Sequence, residues 1–574
     1  MAFQVSPGVN TSEIDLTTVI PAISTSTGAI AGDFQWGPVE QIRQISNETQ
    51  LVSTYGKPNN TTANAFFTAA NFLAYGNDLR VVRGASQSTK NAFANLKSQS
   101  TFTAQQIKHE DDYSTNFPTG VTNTCFAARY PGALGNALLV SVWANTTSAL
   151  SSWAYGSYFS KSPGTSNYVS TNFKSGANDE MHIVVVDYTG AITGVANTVL
   201  ETYPHVSKAT NAKDETGQSI YYKDVLFRKS KYVYWTGQPD DISMSITSWG
   251  VDANTTYTFP EMKAAASNTT FTFFGGVDSS IASADVIRGY DQLKNSENVD
   301  IQLVMTGGAD STVTLDVINN LAGVRKDCVA FISPSLANVQ ASDATTAVIN
   351  YRKNSLSNVS SSYTVMDSGW KYQYDKYNDV YRWVPLNGDT AGLCARTDTD
   401  RDPWWSPAGL TRGQIKNVIK LAYNPSKANR DELYKNDVNP VVSFPGEGTI
   451  LFGDKTLLGR PSAFDRINVR RLFIVLEKSI ARAARSSLFE FNDEFTRAQF
   501  VNLVEPFLRL VQGRRGIYDY RVVCDTTNNT PEVVDRNEFV GDIYVKPAKS
   551  INYIQLNFVA VRTGVAFEEI VGKF

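Results

Sequence analysis

The stretch GTILFGDKT, Gly448 to Thr456, has most of what a phosphate-binding loop requires. Such a loop sets Lys directly after the second Gly of G-x-x-x-x-G, so that its ammonium and the backbone amides converge on one phosphate. Here Asp454 intervenes between Gly453 and Lys455, which displaces the Lys and puts a carboxylate where phosphate would lie. A strand followed by a turn is the better reading. DTDRDPW spaces Asp398, Asp400 and Asp402 as a calcium loop begins, but the sixth and twelfth positions, which need Gly and Glu, hold Pro403 and Gly409. Gly307 and Gly308 in TGGADS follow a strand pattern and precede a helix pattern, yet the third Gly of a dinucleotide fingerprint is missing, leaving a plain βα turn.

Other chemistry has still less support. His109, His182 and His205 have no motif around them, and Cys125, Cys328, Cys394 and Cys524 are far apart with no C-x-x-C pair, as expected of small buried hydrophobes. Neither G-x-S-x-G nor H-E-x-x-H occurs, so no metal, cofactor or catalytic residue is assigned. The strongest charge feature is basic: Arg460, Arg466, Arg470, Arg471, Lys478, Arg482 and Arg485, opposed nearby only by Asp465 and Glu477. A solvated helix face and a contact with an acidic partner protein both fit it.

The elements that would position these residues are legible in the pattern. At 574 residues, three or four domains are expected. Hydrophobic residues at 42% and charged residues at 19% are ordinary for a folded chain. A net charge of -3 lacks the basic balance of nucleic-acid binding, and no apolar run is long enough for a membrane helix. The start has no signal-peptide pattern, so synthesis in the cytoplasm is expected. TGAIAGDFQWGP and DLRVVRG read as strands, with a helix through Phe66, Phe67, Ala70, Leu73 and Ala74 between them. SADVIRGYDQLKN reads as a helix. VDIQLVM, a helix carrying Val317, Ile318 and Leu321, and CVAFISP then make a βαβ unit and hence a parallel sheet.

Between these parts the composition changes. From Ser141 to Glu180, 21 of 40 residues are Ser, Thr, Asn or Gly and only 4 are charged, which predicts a turn-rich, all-β insertion without helices. WKYQYDKYNDVYRWVP predicts a hairpin with Trp370, Tyr372 and Tyr374 facing Tyr381 and Trp383. Val469, Leu472, Phe473, Leu476, Ile480 and Ala483 mark an amphipathic helix with Asn468 as N-cap, its basic residues on the other sides. A second helix through Phe500, Leu503, Val504, Leu508 and Val511 should be interrupted or kinked at Pro506. Near the end, KSINYIQLNFVAV alternates apolar Ile554, Leu556, Phe558 and Ala560 with polar Gln555 and Asn557, a half-buried strand whose sheet is not evident.

The stretches DPWWSPAGLTRGQIKNVIKLAYNP, RDELYKNDVNPVVSFPGEGTILFGDKT, FDRINVRRLFIVLEKSIARAA and YRVVCDTTNNTPEVVDRNEFVGDIYVKPAKSINYIQLNFVAV resemble the contractile tail sheath proteins of T-even-type phages. With TGAIAGDFQWGP, the likeness covers residues 1–85 and about 286–574; the middle is matched chiefly by RYPGALGN, and its short lead from Ser86 to Val121 departs from larger relatives that carry a further outer domain. The resemblance implies an α+β and α/β multidomain sheath fold, with a core built from both ends of the chain and an inserted β-rich protruding domain. The expected division is an arm at 1–20, core at 21–85, insertion at 86–285, core again at 286–460, and an inner C-terminal domain at 461–574.

The implied function is structural and non-enzymatic. Subunits stack as six-fold rings around the tail tube, and the sheath contracts to drive the tube through the host envelope, with no nucleotide or other cofactor. Implied partners are further copies of the chain, the tube protein, the baseplate and the tail terminator, without nucleic acid or membrane insertion. The implied location is the virion, after assembly in the host cytoplasm. Strand exchange between neighbours is expected through Phe3, Val5 and Val9 in the arm and through Ile554, Leu556, Phe558, Val565 and Phe567 in the tail, with GDIYVKP among the acceptor edges. An inward-facing C-terminal domain would make Arg470, Arg471, Lys478, Arg482 and Arg485 tube or inter-ring contacts. The sheath of a bacterial contractile injection system is the alternative, and a nucleotide-dependent enzyme and a β-rich host-binding protein are rivals of other classes.

Overall fold

Gly28–Asp33 shows no polar alternation, which suits a strand buried on both faces. In the computed structural model, which describes residues 24–99, 101–240, 249–265, 269–552 and 555, this strand (β1) lies inside a six-stranded sheet. The order is Thr364–Met366 (β13), Val329–Ile332 (β12), Leu303–Met305 (β11), β1, Leu79–Gly84 (β3) and Ile42–Ile45 (β2). All neighbours are parallel except β2, which runs antiparallel to β3. Gly28 is in register with Leu303 on one side and Leu79 on the other.

Helices cover both faces, as a parallel sheet requires. One face packs Ile30, Val81, Met305 and Phe331 against Phe66 and Phe67 of helix α1 (Ala63–Leu73) and Ala391 and Cys394 of helix α4 (Asn387–Asp400). A Cβ on Gly28 would stand 2.5 Å from the Phe72 ring, so the close approach of α1 depends on glycine there. The other face packs Ala29, Val82 and Val304 against Tyr290 of helix α2 (Ser283–Asp291) and the crossover after β11. That crossover begins with α3 (Ser311–Asp316), capped by the Asp310 carboxylate, and continues as a π-turn over Val317–Ala322. The βαβ unit read from the sequence is therefore present, with TGGADS as its βα turn.

The insertion folds as two antiparallel sheets. One orders Phe93–Asn95 (β4), Thr124–Ala128 (β5) and Val233–Trp235 (β9). The other orders Thr270–Thr272 (β10), Leu138–Trp143 (β6), Glu180–Asp187 (β7) and Thr198–Ser207 (β8). They share a core that includes Phe126, Val140, Ile183, Tyr222, Trp235 and Phe271. The helix-free expectation for Ser141 to Glu180 is corrected: Asn167–Asn172 is helical because the Ser166 hydroxyl accepts the Val169 N–H at its start, and the all-β expectation for the insertion is corrected at Glu110–Asn116 and Tyr222–Lys229, which are helices too.

The aromatic hairpin forms as expected, with Trp370–Asp375 (β14) paired to Val380–Pro385 (β15), Tyr372 opposite Trp383 and Tyr374 opposite Tyr381. Lys420–Leu421 (β16) adds a third strand. Val441–Phe444 (β17) and Gly448–Leu451 (β18) make a further hairpin.

The chain divides into two compact units. The larger takes Ala22–Pro403 and Pro407–Ser479, so the core and the insertion belong to one unit; the smaller takes Trp404–Ser406 and the chain from Ile480. Helix α5 (Ile467–Ala484) starts one residue before Asn468, which therefore sits in the first turn and is not the N-cap. In the smaller unit, helix α6 (Glu494–Gly513) buries Phe500, Val504, Leu508 and Val511. It runs through Pro506 without a break, so that of the expected interruption or kink the interruption does not occur. Proline there removes one donor to the Asn502 carbonyl, and Asn502 is exposed, so water can take that bond. Ile517–Val523 (β19) and Asp542–Pro547 (β20) complete the unit as an antiparallel ribbon.

Candidate assembly interface

Two strands alone leave two long edges of unpaired N–H and C=O groups and bury little. The β19–β20 ribbon is such a pair among the described residues. It is fixed in its own unit by Ile517, which is buried, and by Gly516, whose Cα closes on the Trp404 indole: an added Cβ would lie 3.0 Å from that ring. GDIYVKP, expected as an acceptor edge, is β20. The residues expected to take part in strand exchange, Phe3, Val5 and Val9 in the arm and Ile554, Leu556, Phe558, Val565 and Phe567 in the tail, whose strands the sequence does not sort into donor and acceptor, lie outside the described residues.

The chain just after the arm is tied to the larger unit. The Thr27 hydroxyl donates to Asp78 at 2.8 Å, the Gly28 N–H donates to the Asp78 carbonyl, and the Arg471 guanidinium donates to the Thr25 carbonyl at 3.0 Å.

The basic residues of α5 do not form one solvated face, which is one of the two readings that the sequence allows. Arg471 makes a two-pronged ion pair with Asp398 of α4, at 2.8 and 2.5 Å, with the side chains only 4% and 5% exposed. Burial pushes the Asp398 carboxyl above its usual range against the pull of Arg471. Arg470 is equally buried, its guanidinium 4.4 Å from the Tyr363 ring and 4.5 Å from the Phe464 ring, with Glu477 at 3.3 Å. Lys478 pairs with Asp300 and, at 3.4 Å, with Asp327. These three are held inside the larger unit, whereas Arg482 and Arg485 are exposed in the smaller one. For Arg471 and Lys478 the physical reason is remote, carboxylates 73 to 178 residues away in sequence, whereas Arg470 meets Glu477 of its own helix. Asp398 was visible in the sequence only as a failed calcium loop.

The phosphate-loop likeness is occupied by the protein itself. The Lys455 N–H donates to Asn439 Oδ1 at 2.7 Å, its ammonium to the Tyr434 carbonyl at 2.8 Å, and the Thr456 N–H to the Asp465 carbonyl. A doubly wound sheet offers its ligand crevice beyond the carboxyl ends of its strands. Here the start of α4 fills that place: Asn387 accepts the Gly307 N–H at 3.0 Å and donates to the Gly307 carbonyl at 2.8 Å and to Ser333 Oγ at 3.0 Å. Ser333 in turn donates to Asp367 at 2.7 Å. Beside it, buried Lys371 pairs with Asp389 at 2.9 Å, and the Tyr75 hydroxyl donates to the same oxygen. Sequence reading missed this network, since Asp367, Lys371 and Asp389 have no motif.

Burial pushes the Asp367 carboxyl up to about 8. Because the folded chain then holds a proton that the unfolded carboxyl releases near pH 4, the stability this group contributes falls as pH rises from about 4 to 8. Asp367→Asn is expected to flatten that part of a stability profile; denaturant midpoints at pH 5 and pH 8 check it, and an unchanged slope would count against the buried neutral acid.

The chain matches the phage tail sheath protein central domain over residues 281–457, the phage tail sheath C-terminal domain over 460–560 and the tail sheath protein Gp18 domain III N-terminal region over 25–83. It is 35% identical to the tail sheath protein of Vibrio phage KVP40 and 35% identical to that of Enterobacteria phage T4, in each case over 99% of both chains. Its fold is similar to that of the sheath tail protein from Listeria innocua, with 11% identity, a TM-score of 0.53, and 92% of this chain and 96% of that one covered. Identity of this order from end to end, joined to the shared core, shows that the chain belongs to the phage tail sheath protein family.

Proposed function

We propose that the chain is the repeating subunit of a contractile tail sheath, stacked in six-fold rings around the tail tube between baseplate and tail terminator. Neighbours are linked by added strands, with residues 1–20 and the tail beyond Ser550 as donors. The observation that carries this reading is the β19–β20 ribbon, which has no third strand among the described residues. Added strands suit such a machine because main-chain pairing tolerates side-chain repacking, so neighbours can rotate and stay connected. The division into arm 1–20, core 21–85, insertion 86–285, core 286–460 and C-terminal domain 461–574 follows the same logic.

The work of contraction comes from repacking of subunits, and no catalysis is invoked. The filled crevice at α4 and the spent amides around Lys455 support that reading. Assembly takes place in the host cytoplasm and the product is part of the virion, without contact to nucleic acid or insertion into membrane. For Arg482 and Arg485, contact with the tube or the next ring remains the proposal, whereas Arg470, Arg471 and Lys478 act by holding the subunit together.

Negative-stain electron microscopy of the full chain, beside a chain lacking residues 1–20, tests the reading. Striated tubes are expected from the full chain and dispersed particles from the shortened one. Equal tube formation by both would remove the arm from the mechanism, and no tubes from the full chain even with tube protein added would remove the sheath assignment.

A further inference from the structure

Lys208, at the end of β8 in the insertion, is only 1% exposed, which is rare for a lysine without a paired carboxylate. Its Nζ donates to two main-chain carbonyls, of Asn178 at 2.8 Å and of Pro260 at 3.5 Å, and stands 5.1 Å from the Trp249 ring. Trp249, Phe259 and Met262 belong to the apolar core of the insertion. Burial pushes the Lys208 ammonium down to about 7 against the pull of Glu261, Asp179 and Glu180, so near neutral pH a large share is free amine, the nucleophilic form. We propose that Lys208 and Asn178 become joined by an isopeptide bond that the insertion makes on itself, with Glu261 carrying the proton.

The sheet brings the three residues together. Glu180 of β7 lies opposite Ser207 of β8, and one step further the Lys208 N–H donates to the Asp179 carbonyl at 2.7 Å, so Asn178 is the diagonal neighbour of Lys208. Asn178 is pinned by its N–H, which donates to Thr165 Oγ1 at 3.0 Å, and holds a left-handed φ of 54°. Its Nδ2 donates to Glu261 Oε1 at 3.3 Å, and the Thr146 hydroxyl donates to the same oxygen. On either side of Glu261 the backbone is tied down, the Phe259 N–H to the Ala177 carbonyl at 2.8 Å and the Met262 N–H to the Ala144 carbonyl at 3.1 Å. Asp179 is engaged elsewhere, by the Ser166 and Ser207 hydroxyls at 2.8 and 2.6 Å. A desolvated amine, a carboxamide and a carboxylate thus converge. Asn178 and Glu261 are half-buried, which leaves the departing group a way out.

The chemistry balances without an added reagent. The Lys208 amine turns from the main-chain carbonyl of Asn178 to the side-chain carbon Cγ of the same residue, a short swing for a flexible four-carbon stem. Its lone pair forms the Nζ–Cγ bond while the carbonyl pair moves onto Oδ1, then returns as the Cγ–Nδ2 bond breaks. The Glu261 carboxylate takes a proton from Nζ and passes it to Nδ2, which leaves as ammonia. An amine and a carboxamide become a secondary amide and ammonia, and nothing is oxidised or reduced. All four cysteines are free thiols, so this amide is a covalent cross-link of a kind the thiols do not supply. It ties β7 to β8 and restricts the unfolded chain as a disulfide does, but reductant cannot open it.

The test is the intact mass of the folded full chain after incubation at pH 8, with tandem mass spectrometry of its proteolytic peptides. The wild type is expected to be lighter than its sequence mass by one ammonia and to yield a branched peptide joining Lys208 to Asn178. Lys208→Met, Asn178→Ala and Glu261→Gln are each expected to keep the full mass, with circular dichroism confirming that Glu261→Gln is folded. A folded wild-type chain at its full sequence mass overturns the inference without recourse to any variant. Loss of ammonia that persists in Lys208→Met marks a succinimide at an asparagine and overturns it as well. A branched peptide formed as fast in Glu261→Gln as in the wild type removes Glu261 from the reaction. The sheath-subunit reading stands or falls separately, since the measurement needs no assembly.

Discussion

Asp398→Ala is expected to destabilise the larger unit by about 3–5 kcal/mol, the cost of stranding a buried charge. The guanidinium of Arg471 is 4% exposed and gives Asp398 both of its prongs; without that carboxylate it keeps only the carbonyls of Thr25 and, at 3.5 Å, Cys394. Arginine cannot escape by losing its proton, so acidification does not relieve the charge left stranded in the variant. Replacing both partners by leucine should recover most of it, because two apolar side chains of similar size need no solvation. Urea denaturation followed by hydrogen exchange in β11 and α4 measures the larger unit by itself, which matters in a chain whose two units need not unfold together. An Asp398→Ala chain as resistant as the wild type would mean that water reaches the pair.

Lys371→Met should cost a similar amount near neutral pH, also about 3–5 kcal/mol, but with a different dependence on pH. Lys371 and Asp389 are both essentially inaccessible, and burial already holds the Asp389 carboxyl above its usual range although Lys371 pulls it down. Without the ammonium, the folded carboxyl rises further. Between the unfolded value near 4 and the new folded value, the folded chain binds the extra proton, so stability falls as pH rises, by about 1.4 kcal/mol per unit. The variant should therefore regain stability on acidification, whereas Asp398→Ala should not. Denaturant midpoints for both variants at pH 5, 6.5 and 8 separate the two cases. Parallel profiles would show that the charge left behind is not what sets the cost.

The contrast with Gly388 shows how tight this region is. A Cβ there would lie 2.4 Å from the Thr68 carbonyl oxygen, so the start of α4 can enter the crevice only as glycine. Asn387 then makes the bonds to Gly307 and Ser333 that a ligand would otherwise make in a doubly wound sheet.

Local pattern was enough for much of the architecture. Runs such as VVRG and CVAFISP are buried on both faces and therefore announce a parallel sheet, and the alternation in WKYQYDKYNDVYRWVP fixes both the hairpin and its register. These features depend on residues within a few positions of one another, where period and turn chemistry suffice. The failures are of two kinds. A single cap, Ser166, outweighs an unfavourable composition over Asn167–Asn172, and solvent at Asn502 lets α6 pass Pro506.

What no local pattern could supply is the identity of distant partners. The sequence by itself determined the family, the parallel core, the β-rich insertion and the apolar face of α5. Tertiary structure alone decided that Arg470, Arg471 and Lys478 turn inward, that Asp398 serves Arg471 and not a metal loop, and that α4 closes the sheet's crevice. The reason is physical: secondary structure follows from the spacing of apolar residues along the chain, whereas the fate of a charge depends on the desolvation it suffers and the counter-charge it meets, both set by segments that are neighbours only after folding.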